Sequence, residues 1–371
     1  GDYLGKPDDK KLNKIKIDAT DFEASTNKLN EERKKLSTKD RVAYTSHTMF
    51  YPFTIDDCFL SSSQNLFPVE YAIKHKNDLL ESGQYSGMLC DVFLESGNKL
   101  GTTKSNKQLA GFPFSGGVID APVQIFEMPQ SNRFDDFIYV SGSDPYKQAK
   151  SDTPSLGAFY VFKRRVGIRD PYAYRIVASY VSRPSSIDQF CRTCEVLQKG
   201  YGAICLMENA DQMYEQYLNR KSGMPASFFL FAGEAIANKY VKAGSRQNSK
   251  LGLYPTPGNQ NLLFSCVVDY CWQDFVVGYD DQTGLDITVK GIELIDDIAL
   301  LDEIIQYKPG LNVDRIIAFG HALVLARYFD DNNYMPKSKI EEMNNVRKED
   351  AYKHHEVYAS AFGSVSIGAF R

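Results

Sequence analysis

The tightest constraint on this chain is an order of elements. Between residues 137 and 207, three β-rich runs are followed by one capped helical stretch and a fourth apolar run. Phe137–Val140 leads into Gly142-Ser143-Asp144-Pro145; Gly157–Lys163 and Tyr174–Val181 follow, rich in β-branched and aromatic residues. Their short connections imply an antiparallel meander. Pro184-Ser185-Ser186-Ile187-Asp188 then opens a helix, with Ser185 and Asp188 spaced as a capping box and Gly200 as its end. Ala203–Met207 is a buried strand closing at Glu208-Asn209, and a further helix starts near Asp211. In a meander the third strand runs parallel to the first. A helical crossover from the third then lays the fourth parallel to both. The expected fold is α/β: a mixed sheet of a three-strand antiparallel meander followed by parallel strands, flanked by helices.

That order singles out particular carboxylates. If the fourth strand docks beside the first, Asp144 and Glu208 end adjacent parallel strands, the edge where open α/β sheets bind ligands. Two carboxylates there repel unless a cation bridges them. Glu208 has no propensity reason to close an apolar strand. A third acid, Asp314, follows Leu311-Asn312-Val313 and opens a long helix through Ile316–Phe319 and Leu323–Ala326. Three convergent carboxylates suit Mg2+ or Mn2+, which prefer hard oxygen ligands. Two such ions, about 3.5–4 Å apart, activate a water and stabilise the leaving oxygen of a phosphodiester. Read singly, Asp144 is a turn-former before Pro145 and Asp314 a first-turn charge on the helix dipole.

Composition limits the alternatives. Against 43 Lys+Arg stand 47 Asp+Glu, a net charge of −4, which excludes a simple basic clamp for nucleic acid. Apolar runs such as Ala158–Phe162 fall far short of the ~20 residues of a membrane span, so no membrane helix is expected. The 7 cysteines read as reduced, buried thiols, and Cys191-Arg192-Thr193-Cys194 lacks a second pair to complete a zinc site. Asp296, Asp297, Asp302 and Glu303 are expected on the solvated face of a helix whose Ile298, Leu301, Ile304 and Ile305 face inward. His321 reads as a core histidine and His354-His355 as surface. Neither a GxSxG elbow nor a GxxxxGK[ST] loop occurs. The expected organisation is a polar helical segment at 1–60, a linker with short strands at 61–130, the α/β domain at 131–330 and a polar tail at 331–371. Gly1 reads as the cut end of a longer protein.

Several motifs, in order, resemble those of the RNase H-like nuclease domain of the tailed-phage large terminase subunit. Tyr51-Pro52-Phe53-Thr54-Ile55-Asp56-Asp57-Cys58-Phe59-Leu60, then Leu66-Phe67-Pro68, is similar to the segment linking that family's ATPase to its nuclease. Ser141–Pro145 with Asp152 matches the first nuclease motif, and Met207-Glu208-Asn209 the second. Lys250–Pro255 with Asn261, and Ile292–Ile295 through Leu301–Ile304, resemble the stretches before the last motif. Asp314-Arg315-Ile316 with Ala318 matches that third motif, although Val313 stands where many members carry a second Asp. The aromatic-rich wording resembles a divergent group such as the crAss-like phages.

The resemblance runs from about residue 30 to 328. It implies metal-dependent, largely sequence-nonspecific cleavage of double-stranded DNA during genome packaging, in the cytoplasm of an infected bacterium. Asp144, Glu208 and Asp314 would hold two Mg2+ or Mn2+, with Asp152 as an auxiliary ligand. Candidate phosphate contacts are Lys147, Lys150, Arg164, Arg165, Arg183, Arg246 and Lys250. Implied partners are an amino-terminal ATPase domain of the same subunit, the portal protein and the small terminase subunit. Two other readings stand beside this: a catalytically weak module docking on portal or procapsid, and another RNase H-like nuclease such as a resolvase.

Overall fold

The computed structural model describes residues 22–37, 47–48, 51, 53, 65–82, 87–146, 155–164, 173–210, 212–241, 251–280, 283–308 and 310–334. The chain divides into two compact units, Gly1–Asn65 and Leu66–Arg371. In the first, helix α1 (Phe22–Ser37) carries the Glu31–Lys35 charge run along a largely solvated surface. His47 reaches its Glu32 at 3.1 Å, and Arg33 donates to the Tyr51 carbonyl at 2.7 Å.

The second unit is built on a seven-stranded sheet in the order β2-β1-β3-β6-β5-β4-β7. Its strands are β1 (Met88–Leu94), β2 (Leu100–Lys104), β3 (Val123–Ile125), β4 (Tyr139–Asp144), β5 (Gly157–Lys163), β6 (Arg175–Ser182) and β7 (Ile204–Met207). β4, β5 and β6 form the expected antiparallel meander, and β7 pairs parallel to β4. The fold is thus α/β, a mixed sheet of an antiparallel meander joined by a parallel strand. Every residue of β5 is buried, the mark of a strand covered on both faces.

The covers are helical. On one face, α2 (Val69–Ser82) precedes the sheet in sequence and packs with α7 (Ile298–Ile305). α3 (Ile187–Tyr201) covers the other, where its Phe190, Cys194, Leu197 and Tyr201 meet Phe159, Val161, Tyr180 and Tyr139. α4 (Met213–Lys221) extends that cluster, and α5 (Gly233–Tyr240) follows it in the chain. α6 (Pro257–Trp272) packs on the 18-residue α8 (Asp314–Asp331), which lies on β4, β5 and β7. Phe319 of α8 meets Tyr160 and Phe162 at ring-centroid distances of 6.1 and 5.9 Å. A separate hairpin joins β8 (Asp274–Tyr279) to β9 (Asp286–Lys290).

Several sequence expectations are corrected here. The N-cap position of α3 is Ser186, without a side-chain cap, so Ser185 and Asp188 form no capping box; Asp188 pairs with Lys221. The helix runs past Gly200 to Gly202, whose φ of 60° and N–H bonds to the Gln198 and Lys199 carbonyls close it. β1–β3, within the stretch expected to hold short strands, pair with one another and with β6 and so extend the sheet. The tail at 335–371 lies outside the described residues.

Candidate functional site

The parallel register of β4 and β7 sets Ser143 opposite Met207, and the Glu208 N–H donates to the Ser143 carbonyl at 2.9 Å. Asp144 and Glu208 therefore end adjacent parallel strands on one face of the sheet, each half-buried. Which face follows from Gly142. A Cβ built there would lie 2.1 Å from the Ala318 carbonyl oxygen and 2.3 Å from the Ala322 nitrogen of α8. Residues two apart along a strand share a face, so Asp144 points to the α8 side.

α8 runs antiparallel to β4. Its far end is tied by Asp330 to Arg164 just past β5, and its first residue, Asp314, meets the start of β5. Asp314 is 9% exposed, and its carboxylate accepts from the Leu156 N–H at 2.7 Å, the Ser155 hydroxyl at 3.1 Å and the Asn312 amide at 3.0 Å. Burial pushes its pKa up, against the pull of these donors and of Arg315. The three sequence-identified carboxylates thus come to one corner of the sheet, although among the described residues no three His, Cys, Asp or Glu side chains are grouped so as to hold a metal ion.

The donor chemistry nonetheless fits a hard divalent cation. An ionised carboxylate offers about four acceptor sites, so three donors on Asp314 leave about one for a ligand. Asp144 and Glu208 supply further oxygens of the type Mg2+ and Mn2+ prefer. Asp152 lies outside the described residues.

Glu208 is held from its other side by a stretch without regular structure. Leu253 bridges Glu208 in parallel, donating to the Met207 carbonyl at 2.7 Å and accepting from the Asn209 N–H at 2.9 Å. Gly252 makes this approach feasible: it adopts φ +71°, and a Cβ there would stand 2.7 Å from the Met207 oxygen. The Asn209 amide donates to the Leu251 carbonyl at 2.6 Å and to Glu215 at 2.9 Å.

The acidic cluster at 296–303 corrects the solvated-face expectation. Asp297 caps α7, accepting from the Leu300 N–H at 3.1 Å and from the Tyr160 hydroxyl at 3.0 Å. Glu303 is 1% exposed, takes the Ile316 N–H of α8 at 2.8 Å, and lies 3.5 Å from the Arg315 guanidinium. Burial pushes its pKa up to about 8. Asp302 pairs with Lys76 at 2.6 Å, and Asp296 lies 3.8 Å from His75. Sequence reasoning missed this buried network; its one signal was an arginine, Arg315, inside an otherwise apolar helix opening.

Among the proposed phosphate contacts, Arg164 is structural. It is 3% exposed, donates to Asp330 at 3.0 Å and to the Phe137 carbonyl at 2.7 Å, and stands over the Phe329 ring. Arg183 is half-buried and donates to the Ser155 carbonyl, which sets a cation beside the Asp314 corner. Lys147, Lys150, Arg165, Arg246 and Lys250 lie outside the described residues.

His321 is fully buried and its Nδ1 lies 2.9 Å from the Ile317 carbonyl; burial lowers its pKa to about 4, so it is a neutral core imidazole. Burial pushes the Cys191 thiol up to about 12 and Cys194 well above its ordinary value, which is inert-thiol behaviour. Among the described residues no helix is long and apolar enough to cross a membrane.

No protein-family model matches this chain, and no curated protein matches it. Among solved structures it is similar to the large terminase nuclease from thermophilic phage G20c, with 11% identity and a TM-score of 0.24, over 54% of this chain and 86% of that one.

Proposed function

We propose that this chain is a divalent-metal-dependent endonuclease that hydrolyses phosphodiester bonds of double-stranded DNA, as the nuclease part of a phage packaging motor. One observation carries the reading: Asp144 and Glu208 share one face at the ends of adjacent parallel strands, at the corner where α8 begins with Asp314. An aspartate and a glutamate ending neighbouring strands offer the hard oxygen donors that a divalent cation prefers. When bound, two Mg2+ or Mn2+ ions would supply an activated water and stabilise the leaving oxygen. The chain's own contribution is placement. β4 and β7 fix Asp144 and Glu208, the Leu251–Leu253 clamp holds the turn after β7, and the Ser155–Leu156 backbone orients Asp314. Arg183 beside Ser155 is suited to a DNA phosphate at the rim. The ATPase domain, portal protein and small terminase subunit are the partners this reading entails.

The direct test is plasmid incubated with the protein and Mn2+. The parent should nick and linearise it, and Asp144→Ala and Glu208→Ala should abolish this; variants as fast as the parent would refute the assignment. The engagement of Asp314 by Ser155, Leu156 and Asn312 favours the second reading, a catalytically weak docking module. In a calorimetric titration, no Mn2+ binding, or binding unaffected by Asp314→Asn, would support that reading.

A further inference from the structure

We propose that Glu303 is a positioning residue for the candidate metal site, holding the first turn of α8 and thereby the Asp314 carboxylate. The inference rests on the metal-site reading of Asp144, Glu208 and Asp314. It concerns a side chain that touches none of them in the hydrogen-bond network described above.

The argument starts from the opening of α8. The first N–H groups of any helix have no partner within it and are commonly capped by the side chain just before. Here that position is Val313, which has no side-chain oxygen. The cap comes instead from another helix: Glu303 of α7 takes the Ile316 N–H at 2.8 Å. Its second oxygen lies 3.5 Å from the guanidinium of Arg315, which is 2% exposed and also donates to the Ala110 carbonyl. Both residues that Glu303 engages lie within two positions of Asp314.

Glu303 is itself anchored. α7 is capped by Asp297, and Asp297 also accepts the Tyr160 hydroxyl of β5 at 3.0 Å. Asp314 returns to the same strand's approach, at the Leu156 N–H. The chain of contacts runs from β5 through Asp297, α7 and Glu303 to the first turn of α8, and back to β5 through Asp314. A ligand tied at two points to one strand keeps its place when a neighbouring carboxylate repels it. Partners one step removed from a metal commonly change affinity about 10–100-fold when altered.

The test is calorimetric titration with Mn2+ of the parent and of Glu303→Asp, Glu303→Gln and Asp314→Asn, with thermal melts alongside. Glu303→Asp keeps the carboxyl group but withdraws it by one methylene, and should weaken Mn2+ binding about tenfold or more. Glu303→Gln keeps an oxygen in reach of the Ile316 N–H and should bind close to the parent. A merely structural role would lower the melting temperature of Glu303→Asp and leave its Mn2+ affinity unchanged. That result, with Asp314→Asn weakened, would overturn the inference alone. If the parent binds no Mn2+, or Asp314→Asn binds as the parent does, the metal-site reading fails and takes this one with it. In the unmutated protein, saturating Mg2+ should slow hydrogen exchange across 314–317; unchanged exchange in a protein that binds the ion counts against the inference whatever the variants do.

Discussion

Replacing Gly142 by alanine asks how tightly α8 is seated on the sheet that carries the candidate site. The added Cβ would stand 2.1 Å from the Ala318 oxygen, 2.3 Å from the Ala322 nitrogen and 2.9 Å from the His321 Cβ. Two of the three are helix backbone, which no rotamer change can move. To reach the 3.4 Å of ordinary contact, α8 must retreat about 1.3 Å locally. A gap of about 0.5–1 Å already forfeits a quarter to a half of each dispersion contact along the interface. Overpacking commonly costs about 1–3 kcal/mol, and a clash against backbone belongs at or above the upper end. The smaller unfolded-state entropy of alanine offsets only about 0.4–1 kcal/mol. Urea denaturation should therefore show a loss of about 2–4 kcal/mol. Gly278→Ala, whose Cβ meets only the Ile287 Cδ1 at 3.8 Å, is the control and should be neutral or slightly stabilising. A Gly142→Ala protein within about 0.5 kcal/mol of the parent, the scatter of an ordinary surface substitution, would refute the close seating of α8.

Three further outcomes are expected. Glu303 holds a proton up to about pH 8 in the folded protein, whereas the unfolded chain releases it near the ordinary value of 4.5. Its contribution is therefore fully present below pH 4.5 and lost as pH rises through about 8, and Glu303→Gln should flatten that part of a melting-temperature profile. Arg164→Ala should cost about 1–3 kcal/mol in denaturation, since it strands Asp330 and the Phe137 carbonyl, and should leave DNA affinity in filter binding unchanged. Cys191 and Cys194 should resist iodoacetamide in the native protein and react on unfolding; rapid native labelling would contradict their burial.

The parts of the fold that were legible in the sequence are those with a local signature. β5 reads as a strand because all of its residues but Lys163 are aromatic, small or β-branched, and it is buried throughout. Asp144 and Glu208 stood out because a charge ends an apolar run, and the crossover rule then made β4 and β7 neighbours. What stayed hidden depends on distant partners. Arg164 looks like a surface cation until Asp330, 166 positions away, is seen to hold it. Glu303 has the spacing of a solvated face, and only the packing of α8 against α7 turns it inward. The engagement of Asp314 by Leu156, across 158 positions, is likewise invisible to any local pattern.

Those long separations bear on when the site can exist at all. Asp314 to Leu156, Arg315 to Ala110 and Asp302 to Lys76 close loops of 158, 205 and 226 residues. Contacts so remote are the slowest to form, because the chain loses the entropy of closing the loop before the contact can compensate. At about 5–20 residues per second, a ribosome would need on the order of ten to forty seconds after finishing β4 to deliver the end of α8. Through that interval the face bearing Gly142, Tyr160 and Phe162 lacks α8, the helix that lies directly on β4, β5 and β7. The corner that gathers Asp144, Glu208 and Asp314 is therefore assembled last, and a nascent chain carries an open apolar layer exposed to misassociation until α8 docks.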